Sequence, residues 1–190
     1  MSKNTQFKKT KLKKGQIAWG ADPELFASYL DSNGEQCVLP PVVLREDLGC
    51  PVIMESMEKD PEQRHPVFQH YGDAKVHEDG AAFEMSVPPS NSWRDLWNTI
   101  HQIKESFGKD VLSQYIGVCD PVLYSIPTMK WEVDRWLDRG NSFAMATRFG
   151  CDPDMSALNL ELPCNVIDAT RHPERYAGGH IHVSGIPEIV

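Results

Sequence analysis

Near its C-terminal end the chain reads GGHIHVS over residues 178–184. Side chains alternate between the two faces of a β-strand, so His180 and His182 would share one face while Ile181 and Val183 pack on the other. Two adjacent glycines allow a ligand or another backbone to come close. Paired imidazoles suit a metal ion, and one imidazole beside carboxylates can also join a site for a harder metal. The stretch predicts a strand with a metal-binding or catalytic face, and structural histidines are the alternative.

A first acidic stretch reads GADPE over residues 20–24. On an extended strand Asp22 and Glu24 are two positions apart, so their carboxylates point to the same face. Two like charges held close together are costly unless a cation lies between them. The pair therefore predicts a metal site, with a surface turn carrying two solvated acids as the alternative.

A second stretch reads KVHEDGAAFE over residues 75–84. Asp79 and Gly80 predict a turn. Glu84 follows on an otherwise apolar strand, where a carboxylate is costly to bury without a cation or strong hydrogen-bond donors. A metal ligand and a member of a structural ion pair are both open interpretations of Glu84.

A third acidic stretch reads GCDPD over residues 150–154 and repeats the Gly-x-Asp-Pro-acid pattern of residues 20–24. Nothing around the two stretches matches, so five shared positions do not indicate a duplicated domain. The pattern predicts a loop that presents the carboxylates of Asp152 and Asp154. An Asx-type turn is the alternative.

The length and composition indicate one globular domain. The 190 residues include 24% charged and 41% hydrophobic residues, which is ordinary for such a domain. No apolar run approaches the roughly 20 residues of a membrane helix, and the N-terminus lacks the apolar segment of a secretory signal. An odd number of cysteines without CxxC spacing argues against a disulfide framework and a structural zinc site, and predicts a reducing cytoplasm. These cysteines are Cys37, Cys50, Cys119, Cys151 and Cys164.

Charge is distributed unevenly along the chain. Residues 1–14 contain six lysines and no acid, and because the whole chain has a formal net charge of −8, the remainder carries −14. We interpret residues 1–14 as a solvated flexible tail and residues 15–190 as the folded domain. An acidic body is a poor surface for nucleic acid but a suitable place to gather divalent cations.

Apolar spacing predicts strands joined by turns, with few helices. The clearest helix begins at Ser92, with Asp95 in its first turn, and ends at Gly108. Its spacing predicts that Trp93 and Trp97 are core residues. Strands are predicted at residues 16–19, 25–30, 36–43, 81–87 and 177–184, a turn at 31–34, a short helix within 129–137, and a long loop or insertion at 45–70. This order favours an α+β fold with a largely antiparallel sheet and flanking helices.

Taken in this order, the four stretches make the chain resemble the phage carboxylate–amine ligase family (type 2), from about residue 20 to residue 184. The last motif extends upstream to RYAGGHIH over residues 175–182. The family belongs to the glutamine synthetase-like superfamily, in which an antiparallel sheet carries acidic and histidine metal ligands. The GGHIHVS stretch is also similar to the glycine–histidine strand of glutamine synthetases. The resemblance implies a glutamine synthetase-like domain in a protein of the host cytoplasm.

The resemblance also assigns roles to individual residues. Magnesium, or manganese, would be held by Asp22, Glu24, Asp79, Glu84 and His180 or His182. ATP and substrate groups would be bound by Lys75, Arg175 and His182, with Lys75 and Arg175 also catalytic, and by Asp152 and Asp154 on the substrate side. The implied reaction activates a small-molecule or peptide carboxylate as an acyl phosphate, which an amine then attacks.

The sequence departs from the family pattern at the end of the chain. Family members continue past the histidine strand with arginines and another acid, whereas this chain stops six residues after Ser184. We therefore expect a missing C-terminal part, or a partner chain, to complete the site. Two alternatives are a metal-dependent hydrolase that uses His180, His182 and a carboxylate, and a non-catalytic phage protein that keeps a ligase-like binding domain.

Overall fold

A computed structural model describes residues 16–47, 74–115, 124–137, 139, 143, 146, 155–156, 159–163 and 171–185. The predicted tail, most of the predicted insertion at 45–70, and Asp152 and Asp154 lie outside these residues. The strands within them are β1 (Ala18–Leu25), β2 (Ala27–Leu30), β3 (Gln36–Leu39), β4 (Lys75–Asp79), β5 (Ala82–Ser90), β6 (Thr128–Lys130), β7 (Met155–Ser156), β8 (Asn159–Pro163), β9 (Glu174–Tyr176) and β10 (Gly179–Ser184). The α-helices are α1 (Pro41–Glu46), α2 (Trp93–Ser106) and α3 (Val133–Leu137).

The strands form two four-stranded sheets and one separate pair. The first sheet has the order β10-β1-β5-β4 and is antiparallel throughout. The second has the order β2-β3-β6-β9, in which β3 and β6 are parallel and the other neighbours antiparallel. β7 and β8 form an antiparallel pair. The predicted α+β class with a largely antiparallel sheet is confirmed.

In the order of the described strands the chain passes four times between the two four-stranded sheets, and two of these crossings are short. Phe26 separates β1 from β2 and exchanges backbone hydrogen bonds with Tyr124 at 3.1 and 2.8 Å. On the return, β9 leads into β10 through Ala177, whose N–H donates to Pro127 O at 3.0 Å, and Gly178. These two crossings hold β10 beside β1, so the histidine strand lies directly next to the first acidic strand.

Helix α2 packs on the apolar face of the first sheet. The hydroxyl of Ser92 accepts from Asp95 N at 3.2 Å, which confirms the predicted N-terminal cap. The predicted end at Gly108 is wrong, because the chain continues as a π-helical turn (Phe107–Val111) and a 3₁₀ turn (Leu112–Tyr115). The buried ring of Phe107 packs 5.3 Å from that of Phe83, and burial of an aromatic side chain outweighs the cost of about 1 kcal/mol for a helical glycine.

The core prediction for the two helix tryptophans is wrong. Leu96 and Ile103 are buried against the sheet, but Trp93 is 47% and Trp97 57% exposed. Helical spacing identifies an apolar face, yet its angular width is set by what the rest of the chain packs against it. The two indoles lie on the flank of α2.

Two predicted strands differ from the observed ones near prolines. The predicted strand at 36–43 ends at Leu39, because Pro41 occupies the first turn of α1, where the missing N–H has no cost. β5 continues through Pro88 and Pro89 as far as Ser90.

The predicted helix within 129–137 divides into strand β6 and the short helix α3.

A second group of aromatic residues fills the space between the second sheet and α3. The ring of Trp136 lies 6.0 Å from each of Tyr29, Trp131 and Phe143. Trp131 and Trp136 are buried, so this group is the apolar centre of that part of the molecule.

None of the helices in the described ranges has the length and apolar character required to cross a bilayer.

Candidate functional site

Strand register places the predicted metal ligands on one face of the first sheet. Asp22 lies opposite His180, and Gly20 lies opposite His182. Glu24 lies opposite Glu84, which in turn lies opposite His77 on the next strand. Directly opposed residues point to the same side of a sheet. We refer to this side as the polar face; its acidic and histidine residues include Asp22, Glu24, His77, Glu84, His180 and His182.

Asp22 and His182 form the closest pair on the polar face. Asp22 Oδ2 lies 2.5 Å from His182 Nε2, and the histidine side chain is 62% exposed. The ring of His180 lies 6.3 Å from that of His182. The carboxylate therefore orients an imidazole that solvent can reach.

Glu24 connects β1 to the start of β10. Its Oε2 accepts from Gly178 N at 2.7 Å, and its backbone N–H donates to Gly178 O at 3.1 Å. A Cβ on Gly179 would come within 2.8 Å of both Asp22 O and Pro23 Cα. Of the two predicted uses for the glycine pair, close approach of another backbone is the one that the structure describes.

Glu84 has a histidine partner, His77, that no sequence pattern had marked as a site residue. His77 is buried, and its Nε2 lies 3.7 Å from Glu84 Oε2 and 3.2 Å from Ser86 Oγ. Of the two interpretations left open for Glu84, the ion pair thus has a definite partner. His77 stood within the second stretch, but only the pairing of β4 with β5 brings it to Glu84.

The remaining predicted site residues have separate positions. Asp79 ends β4 opposite Ala82, beside Gly80 with φ of 54°, so the predicted turn is confirmed. Lys75 lies at the other end of β4, in register with Ser86 on β5.

Arg175 is not brought to the polar face. It belongs to β9 of the second sheet and is only 2% exposed. Its Nη1 donates to His172 O at 3.0 Å and to Glu174 O at 2.9 Å, and the guanidinium lies 4.2 Å from the ring centre of Trp131. Burial lowers the pKa of Arg175 to about 10. These contacts support a role in packing and provide no support for the predicted contact with phosphate.

The polar face consists of pairs of side chains and not of a ready-made metal cluster. Over the described residues, no three His, Cys, Asp or Glu side chains converge closely enough to hold a metal ion. Asp22 pairs with His182, and Glu84 pairs with His77. Each of these carboxylates has a second oxygen, through which it could bind a cation while the first oxygen keeps its imidazole partner. The donor types, carboxylate oxygens with an adjacent imidazole, fit magnesium or manganese.

Comparison of the chain with protein-family models, with curated proteins and with solved structures gives no match. The case for a function therefore depends on the residues of the polar face and on the resemblance of the sequence motifs.

Proposed function

We propose that this chain is an ATP- and magnesium-dependent carboxylate–amine ligase domain with a glutamine synthetase-like fold. The observation that carries the proposal is the register of the first sheet, which aligns Asp22 and Glu24 of β1 with His180 of β10 and Glu84 of β5. Carboxylates on two central strands and imidazoles on the neighbouring strand are the ligand types that the family resemblance implies.

The electrostatics of β1 and β5 favour a cation on this face. Glu24 and Glu84 are direct cross-strand partners, and like charges in that position repel each other. A divalent cation held by Asp22, Glu24 and Glu84, with His180 or His182, would offset this repulsion. When bound, the cation would also offset the charge of the nucleotide phosphates.

The proposed reaction has two steps. The substrate carboxylate attacks the γ-phosphorus of ATP, which forms an acyl phosphate and releases ADP. The amine then attacks the acyl carbon, phosphate leaves, and the amine loses a proton. Positioning and charge stabilisation supply most of the catalysis in such phosphoryl transfers.

His182 is suited to accept the proton from the amine. Its Nε2 is held at 2.5 Å by Asp22 Oδ2. In the tautomer that donates from Nε2, the lone pair is on Nδ1, and a carboxylate partner stabilises the imidazolium that forms. Asp22 and His182 would thus serve as an orienting group and a base, and in that arrangement His180 is the imidazole left to bind the cation.

Calorimetry with the purified chain tests this proposal. We expect ATP to bind only when magnesium is present, and magnesium to raise the melting temperature because it binds the folded state. Changing Glu24→Gln together with Glu84→Gln should weaken magnesium-dependent ATP binding about tenfold or more, since two carboxylate ligands lose their charge.

A matched control removes the same charge elsewhere. Glu105→Gln with Asp134→Asn changes two exposed helix residues and should leave ATP binding within about twofold, as expected for surface positions. Absence of ATP binding by the wild type, or equal binding by the two double variants, would contradict the proposal.

A metal-dependent hydrolase is the second candidate, and the Asp22–His182 pair favours it. A carboxylate-held imidazole is equally suited to take a proton from water. Such an enzyme needs no nucleotide. Release of product without ATP, abolished by His182→Gln, would favour the hydrolase over the ligase.

A further inference from the structure

A pocket of about 530 Å³ lies between α2, the ends of β1 and β10, and residues 125–127. Small-molecule sites usually have volumes of roughly 300–1,000 Å³ and mainly apolar walls with a few polar groups. This pocket fits that description. Its principal apolar walls are Leu25, Trp93, Trp97, Ile100, Ile126 and Ile181.

Most of this pocket belongs to the side of the first sheet opposite the polar face. Ala21 and Leu25 line it, and they alternate along β1 with Asp22 and Glu24, while Ile181 lies between the two histidines of β10. Two residues of the polar face, Glu24 and His180, also line the pocket, and the carboxylate of Glu24 accepts from Gly178 N. Binding of a ligand between the apolar walls would still not require the proposed cation.

The apolar walls leave large side chains in contact with water. Trp97 is 57% and Ile181 60% exposed, and both line the pocket. A contiguous patch of exposed apolar side chains marks a binding surface more often than an isolated one does. The patch is thus suited to contact a ligand with an apolar body.

Lys104 is the one lysine or arginine among the described residues of the pocket lining. Trp93, Trp97, Ile100 and Lys104 follow the i, i+4, i+7, i+11 spacing of one helix face. Lys104 Nζ donates to the neutral hydroxyl of Ser125 at 3.1 Å, and no carboxylate of the described residues lies within salt-bridge distance of it. By contrast, the neighbouring His101 pairs with Glu105 at 3.6 Å.

We propose that this pocket binds a small organic monocarboxylate with an aromatic or aliphatic body. The body packs against Trp97 and Ile181, and the carboxylate accepts a charge-assisted hydrogen bond from Lys104 Nζ. The pocket favours a single negative group because, among the described lining residues, Lys104 is the one lysine or arginine, and its hydrogen-bond partner is the neutral hydroxyl of Ser125. This inference does not depend on the ligase proposal, since neither nucleotide nor metal takes part.

Titration with 3-phenylpropionate and with the uncharged 3-phenylpropanamide tests the inference, in buffer without ATP or metal. We expect saturable binding of the acid and binding of the amide that is about tenfold weaker, the ratio for one charge-assisted hydrogen bond. Lys104→Met should reduce binding of the acid to the level of the amide. Trp97→Ala, at an exposed position that does not support the core, should weaken both.

Lys109→Met is the matched control, because Lys109 is an exposed lysine that pairs with Glu105 outside the pocket lining. It should leave both affinities unchanged. The inference is wrong if no saturable binding of the acid occurs, if acid and amide bind equally, or if Lys104→Met and Lys109→Met behave alike. It is also wrong if sedimentation shows a wild-type dimer that Trp97→Ala and Ile181→Asp dissociate, since a second copy would then cover the pocket.

Discussion

The guanidinium of Arg175 lies over Trp131 and donates to two backbone carbonyl oxygens, those of His172 and Glu174. At the scale of single residues, burial and partners determine whether such a charge stabilises the fold or acts on a ligand. The planar guanidinium of an arginine can stack on an aromatic ring and donate several hydrogen bonds at the same time. The ammonium of a lysine is a compact point charge and cannot do both. The described contacts therefore require arginine for packing.

Arg175→Lys should lower the free energy of unfolding by about 1–3 kcal/mol, the cost of leaving buried hydrogen-bond partners unsatisfied. Urea denaturation measures this change. Arg171→Lys, at an exposed position, should stay within about 0.5 kcal/mol of the wild type. An Arg175→Lys variant with wild-type stability but impaired ATP binding would instead support the ATP-binding role that the family resemblance implies for Arg175.

At the scale of elements, β10 is an edge strand with every residue exposed. It is held by its antiparallel pairing with β1, by the hydrogen bonds between Glu24 and Gly178, and by the contact of His182 with Asp22. Because the second side of β10 has no strand partner in the described sheet, its position depends on β1. The location of both histidines is thus set by how closely the two backbones approach.

Gly179→Ala should loosen β10, whereas Gly178→Ala should not. Gly179 has φ of +143°, and an added Cβ would meet Asp22 O and Pro23 Cα at 2.8 Å, while a Cβ on Gly178 meets nothing within 4 Å. Strained backbone of this kind costs on the order of 1–3 kcal/mol. Hydrogen exchange of the β10 amides should accelerate roughly tenfold or more in Gly179→Ala only. Equal exchange in the two variants would show that the close approach does not hold the strand.

At the scale of the whole molecule, ionic contacts join segments that are distant in sequence. Lys130 of β6 donates to Asp31 Oδ2 at 2.7 Å and also to Glu35, so it ties the turn after β2 to the middle of the second sheet. Asp31 Oδ1 accepts from the backbone N–H groups of Asn33 and Glu35 at 2.8 Å, which confirms the predicted turn. The hydrogen bond from Lys130 is the largest cause that lowers the pKa of Asp31 to about 2.

This lowered pKa predicts how stability depends on pH. An unfolded Asp titrates near pH 4, so the stabilisation by Asp31 is fully present above about pH 4 and is lost as the pH falls through about 2. Asp31→Asn keeps an acceptor for the turn but loses the charge. Its urea midpoint should lie below that of the wild type at pH 7 and pH 5, and the gap should close between pH 4 and pH 2. Asp134→Asn, at an exposed position, should show no such gap, and a gap for Asp31→Asn that stays constant down to pH 2 would contradict the assignment.

Local patterns in the sequence were sufficient to predict several features. Alternation along a strand placed Asp22 with Glu24, and His180 with His182, because the period of a strand is fixed by its backbone. The cap at Ser92 and the turn at Asp31 were predictable for a similar reason, since their hydrogen bonds join residues within four positions. The antiparallel α+β class followed from the order of such elements.

Only the tertiary structure decided which of these elements are neighbours. It set β1 between β10 and β5, which brings Asp22 within hydrogen-bond distance of His182, 160 positions along the chain, and Glu84 next to His77. It also exposed Trp97 and buried Arg175, against the predictions for both. The physical reason is that side-chain periodicity is a property of a few consecutive residues, whereas burial and strand pairing depend on which distant segments pack together to remove apolar surface from water.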